Sequence, residues 1–211
     1  MKQASTTLIR AWFLEHDNDG EFLAGPRSFP YALIGSPPHC GSIIITTKPM
    51  VVSVALQELG PPTSLGMIGR YGLPDDSDLS WIRKLIAHHS LLFLGDMDPV
   101  DLLVFAWFRA SLHPQDIVHL GINDAFLRTL QIGSTETLLS PCTAAERSSL
   151  DLLKEVFPDL EATIGTKCMA SLERGEKLEL DGILGGGNRA AALRSVFLPT
   201  IDAGDISHDT D

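Results

Sequence analysis

Short apolar runs alternate with helical patterns through the middle of the chain. The runs are rich in β-branched and aliphatic residues and predict buried strands at 42–47, 64–68, 90–95 and 116–120. Between them, apolar residues recur at helical spacing, which predicts helices at 50–59, 76–87 and 99–110. This alternation predicts an α/β fold, with a parallel sheet that carries helices on both faces.

The N-terminal flank has a different pattern from the alternating core. An apolar stretch at 8–14 is followed by a turn signal at 17–20 and by a second apolar run at 31–34. These features predict one or two strands or a short hairpin, which would cover the main domain at its edge.

The C-terminal flank becomes helical beyond residue 140. Its apolar spacing predicts helices at 144–156, 168–174, 177–184 and 188–196. We therefore divide the chain into an N-terminal cover segment (1–40), an α/β core (41–135), a C-terminal helical extension (136–200) and a disordered acidic tail (201–211).

Charge and composition narrow the function classes. The net charge of −11, from 27 acidic and 16 basic residues, argues against tight non-specific binding to duplex DNA. A chain with this net charge can still carry a local basic patch. The widely spaced Cys40, Cys142 and Cys168 predict free thiols in a reducing compartment. The chain contains no uncharged apolar run near the roughly 20 residues of a membrane span and no signal-peptide pattern at its start. We expect a cytoplasmic protein without a membrane partner.

Two aspartates follow the third predicted strand, in Gly95-Asp96-Met97-Asp98-Pro99. Ligands of parallel α/β sheets bind beyond the carboxyl ends of the strands. Asp96 and Asp98 are therefore candidate ligands for Mg²⁺, which takes oxygen ligands and often only one or two protein carboxylates. The alternative is helix capping, with Asp98 as N-cap, Pro99 at the first helical position and Asp101 in the first turn. Capping does not explain Asp96.

Two basic residues also lie near the predicted ends of the strands. Arg70, in a glycine-rich loop, and Lys48, directly after the first strand, are candidate phosphate-binding residues. For Arg70 the alternative is a solvated loop position. For Lys48 the alternative is an ion pair with Asp96 that replaces the metal and leaves the site without activity.

The ordered series of elements resembles the Toprim domain of DNA topoisomerase VI A subunits and of related meiotic recombination endonucleases. The resemblance covers residues 41–184, including a Gly-x-Pro loop at 72–74, the Asp-x-Asp-Pro element at Asp96, Asp98 and Pro99, and a Lys-x-Glu step at 177–179. It implies a Toprim-like parallel sheet, a magnesium site and an association with nucleic-acid metabolism. It also implies that a homodimer is possible.

The chain departs from the family pattern at several positions. The first strand of the family ends in a glutamate that serves as metal ligand or general acid–base, whereas this chain has Thr46, Thr47 and Lys48 there. Asp101 stands where the family has a glycine and could supply the missing charge. The family's strand-cleaving tyrosine lies on a preceding winged-helix domain, and residues 1–40 are too short for that domain. A tyrosine mechanism is therefore not expected.

These departures leave three hypotheses about function. The first is a degenerate, non-catalytic module that binds Mg²⁺ weakly at most and acts with a nucleic-acid or protein partner. The second is a Mg²⁺-dependent phosphoryl-transfer enzyme, similar to a nuclease, that uses Asp96 and Asp98 with another acid in place of the glutamate. The third is a small phosphate-ligand binding protein that uses Arg70 and Lys48.

Overall fold

The predicted strands lie side by side in one main sheet. The computed structural model describes residues 2–16, 32–34, 42–59, 65–69, 73–74, 76–86, 89–112, 117–132 and 135–185. Within them the sheet contains β1 (Ala32–Ile34), β2 (Ser42–Thr46), β3 (Leu65–Gly69), β4 (Ser90–Leu94) and β5 (Ile117–His119) in the order β1-β3-β2-β4-β5. Strands β2 to β5 are parallel, and β1 pairs antiparallel with β3 at one edge.

The helices of the described residues flank this sheet and form most of the C-terminal part. In chain order they are α1 (Lys2–His16), α2 (Pro49–Leu59), α3 (Asp76–Ile86), α4 (Pro99–Ser111), α5 (Asp124–Thr129), α6 (Ala144–Val156), α7 (Leu160–Ile164), α8 (Thr166–Glu173) and α9 (Leu180–Leu184). A second sheet pairs β6 (Leu139–Pro141) with β7 (Glu176–Leu178). The predicted α/β fold with a parallel sheet, flanking helices and a C-terminal helical part is confirmed.

The two central strands are buried along nearly their whole length. Every residue of β2 is buried, and in β4 only the first residue is exposed. Helices on both faces of a parallel sheet exclude water from both sides of each strand, so the strands are continuous apolar runs. The β-branched run Ile43, Ile44 and Ile45 meets this requirement.

The order of the strands creates a switch point between β2 and β4. The chain moves from β2 to its neighbour β3 on one side, and from β4 to its neighbour β5 on the other side. Because parallel crossovers are right-handed, these opposite moves place α2 on one face of the sheet and α4 on the other. Ligands of open α/β sheets bind in the crevice that such a switch point forms at the carboxyl ends of the strands.

Helix α4 forms the centre of the core on its face of the sheet. Eight consecutive residues, 101–108, are buried, and the helix packs against both α1 and α6. The predicted helix at 99–110 is confirmed. A helix that contacts the sheet on one side and two helices on the others needs apolar residues around most of its circumference.

The predicted strand at residues 8–14 is wrong, because this segment lies within α1. Ile9, Trp12 and Phe13 are buried, and their spacing of three and four residues places them on one face of a helix. That face packs on α4. The predicted run at 31–34 does form a strand, β1, and it lies at the edge of the sheet as expected.

The predicted helix at 177–184 is also wrong in its first part. Residues up to Leu178 form β7, which pairs with β6, and only α9 is helical. The extended conformation is stabilised by β6 and by the chain at Met97, partners that a local pattern cannot reveal. The analysis of periodicity also missed the short elements α5, α7 and β6. The predicted helix at 188–196 and the predicted tail at 201–211 lie outside the described residues, and the proposed domain boundaries stay predictions.

Among the helices that the structure describes, none combines the length and the apolar character needed to cross a lipid bilayer.

Candidate functional site

The candidate site lies at the switch point, where β2 and β4 end side by side. Thr46 and Leu94, the last residues of these strands, are paired in register. The chain continues from β2 through Thr47 and Lys48 and from β4 through 95–98, so these two short segments face the same crevice. The sheet thus brings together residues that are far apart in the sequence.

Asp96 is fully buried; its Oδ1 accepts a hydrogen bond, whereas its Oδ2 is paired with an ammonium group in an arrangement that lacks hydrogen-bond geometry. Its Oδ1 accepts a hydrogen bond of 2.8 Å from the backbone N–H of Leu180. Its Oδ2 lies 2.7 Å from Nζ of Lys48, whose side chain is 27% exposed, against 0% for Asp96. The pairing of Lys48 with Asp96, one of the two alternatives predicted from the sequence, is therefore confirmed.

Asp101 turns back from the first turn of α4 towards the ends of both strands. Its Oδ2 accepts hydrogen bonds from the backbone N–H of Asp96 at 2.8 Å and from Oγ1 of Thr47 at 2.6 Å. Gly95 permits this approach, because a Cβ atom there would lie 2.9 Å from the same carboxylate oxygen and 2.8 Å from the ring of Phe93. Asp101 is thus part of the site as well as of the helix.

Asp98 caps α4, as predicted. Its Oδ1 accepts hydrogen bonds from the backbone N–H groups of Val100 at 2.7 Å and Asp101 at 2.8 Å, and Pro99 occupies the first turn. These bonds satisfy two of the donors that a helix N-terminus leaves without partners.

The three aspartates form one compact cluster. Asp96, Asp98 and Asp101 are all buried, and each offers a carboxylate oxygen within 4.8 Å of the others. Such a cluster could hold a metal ion, because oxygen atoms of carboxylates are the ligands that hard cations prefer. Asp101 was predicted first as part of the helix terminus, and its spacing from Asp98 was the signal that could have placed it here.

The electrostatics of the cluster are dominated by burial. Burial and then the neighbouring Asp96 raise the pKa of Asp98 from 3.8 to about 6. Burial raises the pKa of Asp101 well above its ordinary value and also raises that of Asp96, where the charge of Lys48 acts in the opposite direction. Burial lowers the pKa of Lys48, but the aspartates outweigh it and the net shift is upward. Lys48 is therefore a permanent cation beside three carboxyl groups that resist ionisation.

A second lysine approaches the cluster from the C-terminal part. Nζ of Lys177 lies 2.9 Å from a carboxylate oxygen of Glu146 and 2.8 Å from one of Glu179. Hydrogen bonds and charges of these glutamates raise the pKa of Lys177, although its burial acts against them. The charge of Lys177 also favours the ionised form of Asp98.

The backbone of the C-terminal part contacts the site directly. Met97 and Leu178 exchange two backbone hydrogen bonds, and the next bond along is the one from Leu180 to Asp96. This approach was missed from the sequence. The Lys-x-Glu step at 177–179 and the alternation of Leu178 and Leu180 were the signals that pointed to it.

One further titratable residue, the half-buried His119, lies at the end of the neighbouring strand β5. The ring of His119 stacks on Phe93 at 6.1 Å and meets Phe105 edge-on at 4.9 Å between centroids. Both ring nitrogens are buried, and neither has a hydrogen-bond partner among the described residues. Burial lowers the pKa of His119 from 6.5 to about 4, so this imidazole is neutral at pH 7.

Several predicted features are decided only in part. Arg70 and Gly72 lie outside the described residues, while Leu73 and Pro74 of the same loop are buried. Phosphate binding by Arg70 and Lys48 stays a prediction. Cys142 and Cys168 are free and buried, as expected, and Cys40 lies outside the described part of the chain.

The sequence matches no model of a known protein family, and it matches no protein of curated function.

Proposed function

We propose that this chain is a degenerate Toprim-like module that does no catalysis and acts with a partner in nucleic-acid metabolism. In this proposal the ammonium group of Lys48 takes the place of the divalent cation that the acidic cluster of a Toprim domain would hold. The observation that carries the proposal is the distance of 2.7 Å between Nζ of Lys48 and Oδ2 of the buried Asp96.

The chain at the end of β2 supplies two hydroxyl groups and a cation where an active site of this kind needs a carboxylate. Thr47 donates its hydroxyl hydrogen to Asp101, and the hydroxyl of Thr46 accepts from the backbone N–H of Lys48. A threonine hydroxyl neither takes up a proton at neutral pH nor neutralises a divalent ion. Because the glutamate is absent, the proton relay of the family has no counterpart on this strand.

The acidic cluster would accept Mg²⁺ only in competition with groups of the chain itself. Both oxygens of Asp96 and one oxygen each of Asp98 and Asp101 already have partners. Mg²⁺ gives up its water reluctantly and needs near-octahedral geometry. Displacing Lys48 would also leave its ammonium group without the partner that burial has made necessary. These costs support weak binding of Mg²⁺ at most.

The net charge favours a protein partner, or only weak contact with a nucleic acid. With a net charge of −11, the chain would repel the phosphates of a duplex over most of its surface. A protein partner, or weak and local contact with a nucleic acid, fits this charge better than tight non-specific DNA binding.

A second candidate function is favoured by Asp101. This residue adds a third buried carboxylate to Asp96 and Asp98, and it could supply the charge that the missing glutamate would carry. The chain would then be a Mg²⁺-dependent phosphoryl-transfer enzyme, in which the bound ion stabilises charge on a phosphoryl group. Lys48 would have to leave Asp96 during metal binding.

Titration calorimetry with Mn²⁺ separates these functions. We expect no saturable binding below about 1 mM for the unmodified protein, in the range of weak sites. Lys48→Met keeps the length of the side chain and removes the charge, and it should create saturable binding. The matched control is Lys154→Met, because Lys154 forms an exposed ion pair of 2.8 Å with Glu173 far from the cluster.

Two readouts accompany the calorimetry. If Lys48→Met folds poorly, Mn²⁺ should raise its melting temperature, since binding to the folded state alone stabilises it. Tight Mn²⁺ binding by the unmodified protein, or a Mg²⁺-dependent nuclease activity that disappears in Asp96→Ala, would contradict the proposal and favour the enzyme.

A further inference from the structure

The segment Glu176–Leu184, here called the C-terminal segment, pairs with the chain at Met97, just beyond the end of β4. Its backbone exchanges hydrogen bonds of 2.9 Å and 3.2 Å with Met97, through Leu178. Two residues later, the N–H of Leu180 donates to Oδ1 of Asp96 at 2.8 Å. The segment thus continues an antiparallel pairing past the end of β4 and directs one backbone donor at a carboxylate.

Apolar burial holds the C-terminal segment in this position. Leu178, Leu180 and Leu184 are 2%, 0% and 1% exposed, and α9 contacts α2. Upstream, Lys177 is fixed between Glu146 and Glu179. Buried leucines on both sides therefore hold the N–H group of Leu180 in place, and its position does not depend on the hydrogen bond to Asp96.

We propose that the backbone N–H of Leu180 is a second group that excludes divalent cations from Asp96, and that Leu180 therefore helps to determine which cation the acidic cluster accepts. This inference rests on the proposed function, in which Lys48 is the resident cation. Lys48 contacts Oδ2, and the N–H of Leu180 donates to Oδ1, so groups from two distant parts of the chain contact the same carboxylate.

The two groups restrict different atoms of Asp96. Removal of the Lys48 charge frees Oδ2 and leaves a buried carboxylate that a bound cation would neutralise. Oδ1 still accepts the hydrogen bond from Leu180, which uses one of its lone pairs and draws charge from it, so this oxygen is a weaker ligand for a cation. Removal of the N–H frees this oxygen as well, so a cation can use either or both oxygens of Asp96.

The chain permits a matched pair of variants at this position. Leu180 is the first residue of α9, where proline is well tolerated, and Glu179 before it is extended, with φ −107° and ψ 139°, as a residue before proline requires. Leu180→Pro removes the N–H and most of the leucine side chain. Leu180→Ala removes the side chain and keeps the N–H, so the difference between the two variants reports on the hydrogen bond.

Mn²⁺ calorimetry of both variants, each combined with Lys48→Met, is the first test. We expect the double variant with proline to bind Mn²⁺ about tenfold more tightly than the double variant with alanine, the size that a hydrogen bond to a charged group implies. Equal affinities, or weaker binding by the proline variant, would overturn the inference.

A second measurement separates this inference from the proposed function. With Lys48 intact, the side-chain carboxyl ¹³C resonance of Asp96 should move in Leu180→Pro and stay in place in Leu180→Ala. If Lys48→Met creates no Mn²⁺ site in any background, the proposed function fails, and this resonance alone decides the role of Leu180. If the Lys48→Met site appears but neither affinity nor resonance distinguishes proline from alanine, the proposed function stands and the role of Leu180 is refuted.

Discussion

The neighbouring strands β4 and β5 each end at a titratable side chain, which is fully buried after β4 and half-buried in β5, and the two ends are built in opposite ways. Asp96, after β4, has an ammonium group and a backbone N–H on its two oxygens. His119, the last residue of β5, has aromatic rings around it and no hydrogen-bond partner among the described residues. A buried carboxylate needs compensation, whereas an imidazole can lose its charge at little cost near neutral pH.

Position in the sheet explains this difference. The end of β4 lies beside that of β2 at the switch point, and the C-terminal segment pairs with Met97 just beyond this end. Strand β5 has a paired neighbour on one side only within the described residues, and its Val118 is 49% exposed. Polar partners can therefore converge on Asp96 from two directions. His119 meets mainly the apolar side chains of β4 and α4.

The largest effect should come from removing the cation at the end of β4. Lys48→Met leaves the carboxylate of Asp96 buried with one partner, and loss of one member of a buried pair costs about 3–5 kcal/mol. Urea denaturation at pH 7 measures this change in the free energy of unfolding. At pH 5 the loss should shrink, because burial already raises the pKa of Asp96 and the carboxyl group can take up a proton.

The control for this variant is Lys154→Met. Its exposed ion pair with Glu173 should contribute less than about 1 kcal/mol. Equal effects of the two lysine variants would show that the end of β4 needs no cation, and the contrast with β5 would disappear.

The end of β5 should make the protein less stable as the pH falls. The pKa of His119 is lowered from 6.5 to about 4, so between these values the unfolded chain binds a proton that the folded chain does not. The contribution of His119 to the free energy of unfolding is therefore complete above pH 6.5. It should fall by about 3 kcal/mol as the pH drops to 4. His119→Phe keeps the aromatic packing and should remove this part of the pH dependence.

Denaturation curves between pH 4 and pH 7 for the two proteins provide the comparison. If the free energy of unfolding of His119→Phe changes with pH as it does in the unmodified protein, the imidazole has a partner when it is protonated. The two strand ends would then be alike in construction.

The N-cap at the end of β4 should respond to pH in the reverse direction. The pKa of Asp98 is raised from 3.8 to about 6, so between these values the folded chain keeps a proton that the unfolded chain has lost. Its contribution to stability therefore falls as the pH rises through this window. Asp98→Asn retains a good cap without the charge, and it should gain up to about 3 kcal/mol at pH 7 and little at pH 4.

Asp159→Asn is the control for Asp98→Asn. Asp159 precedes α7 without a side-chain capping bond, and its side chain is 72% exposed. Its replacement should change the free energy of unfolding by less than about 0.5 kcal/mol at either pH. A loss of stability in Asp98→Asn at pH 7 would show that the charged carboxylate is needed at this helix end.

The parts of this site that follow local rules were predictable from the sequence. Isoleucines in β2 and the apolar run of β4 identify strands, and Pro99 after Asp98 identifies a helix start. Lys48 could be matched with Asp96 because parallel strands end at one edge. Each of these inferences uses residues within one element or in two neighbouring elements of a regular fold.

The parts that depend on distant backbone were not predictable. Leu180 and Asp96 are separated by 84 positions, and the donor is a main-chain N–H that every residue except proline has. The strand β7 exists because Met97 and β6 offer hydrogen bonds to it. In α1, a short helical stripe of Ile9, Trp12 and Phe13 resembles an apolar strand when its period is not counted.

The smallest effect tests one donor of the acidic cluster without changing its charge. Thr47→Val removes the hydroxyl group that donates to Asp101 at 2.6 Å and keeps the shape of the side chain. The free energy of unfolding at pH 7 should fall by about 1 kcal/mol, the usual net contribution of a hydrogen bond. The loss stays this small because Asp101, whose pKa burial has raised, can keep its proton when a donor disappears. Thr129→Val, which removes an exposed bond to a helix carbonyl, should cost less. If both valine variants behave alike, the cluster at β4 does not depend on its neutral donors, and the partners of Asp96 alone distinguish it from the end of β5.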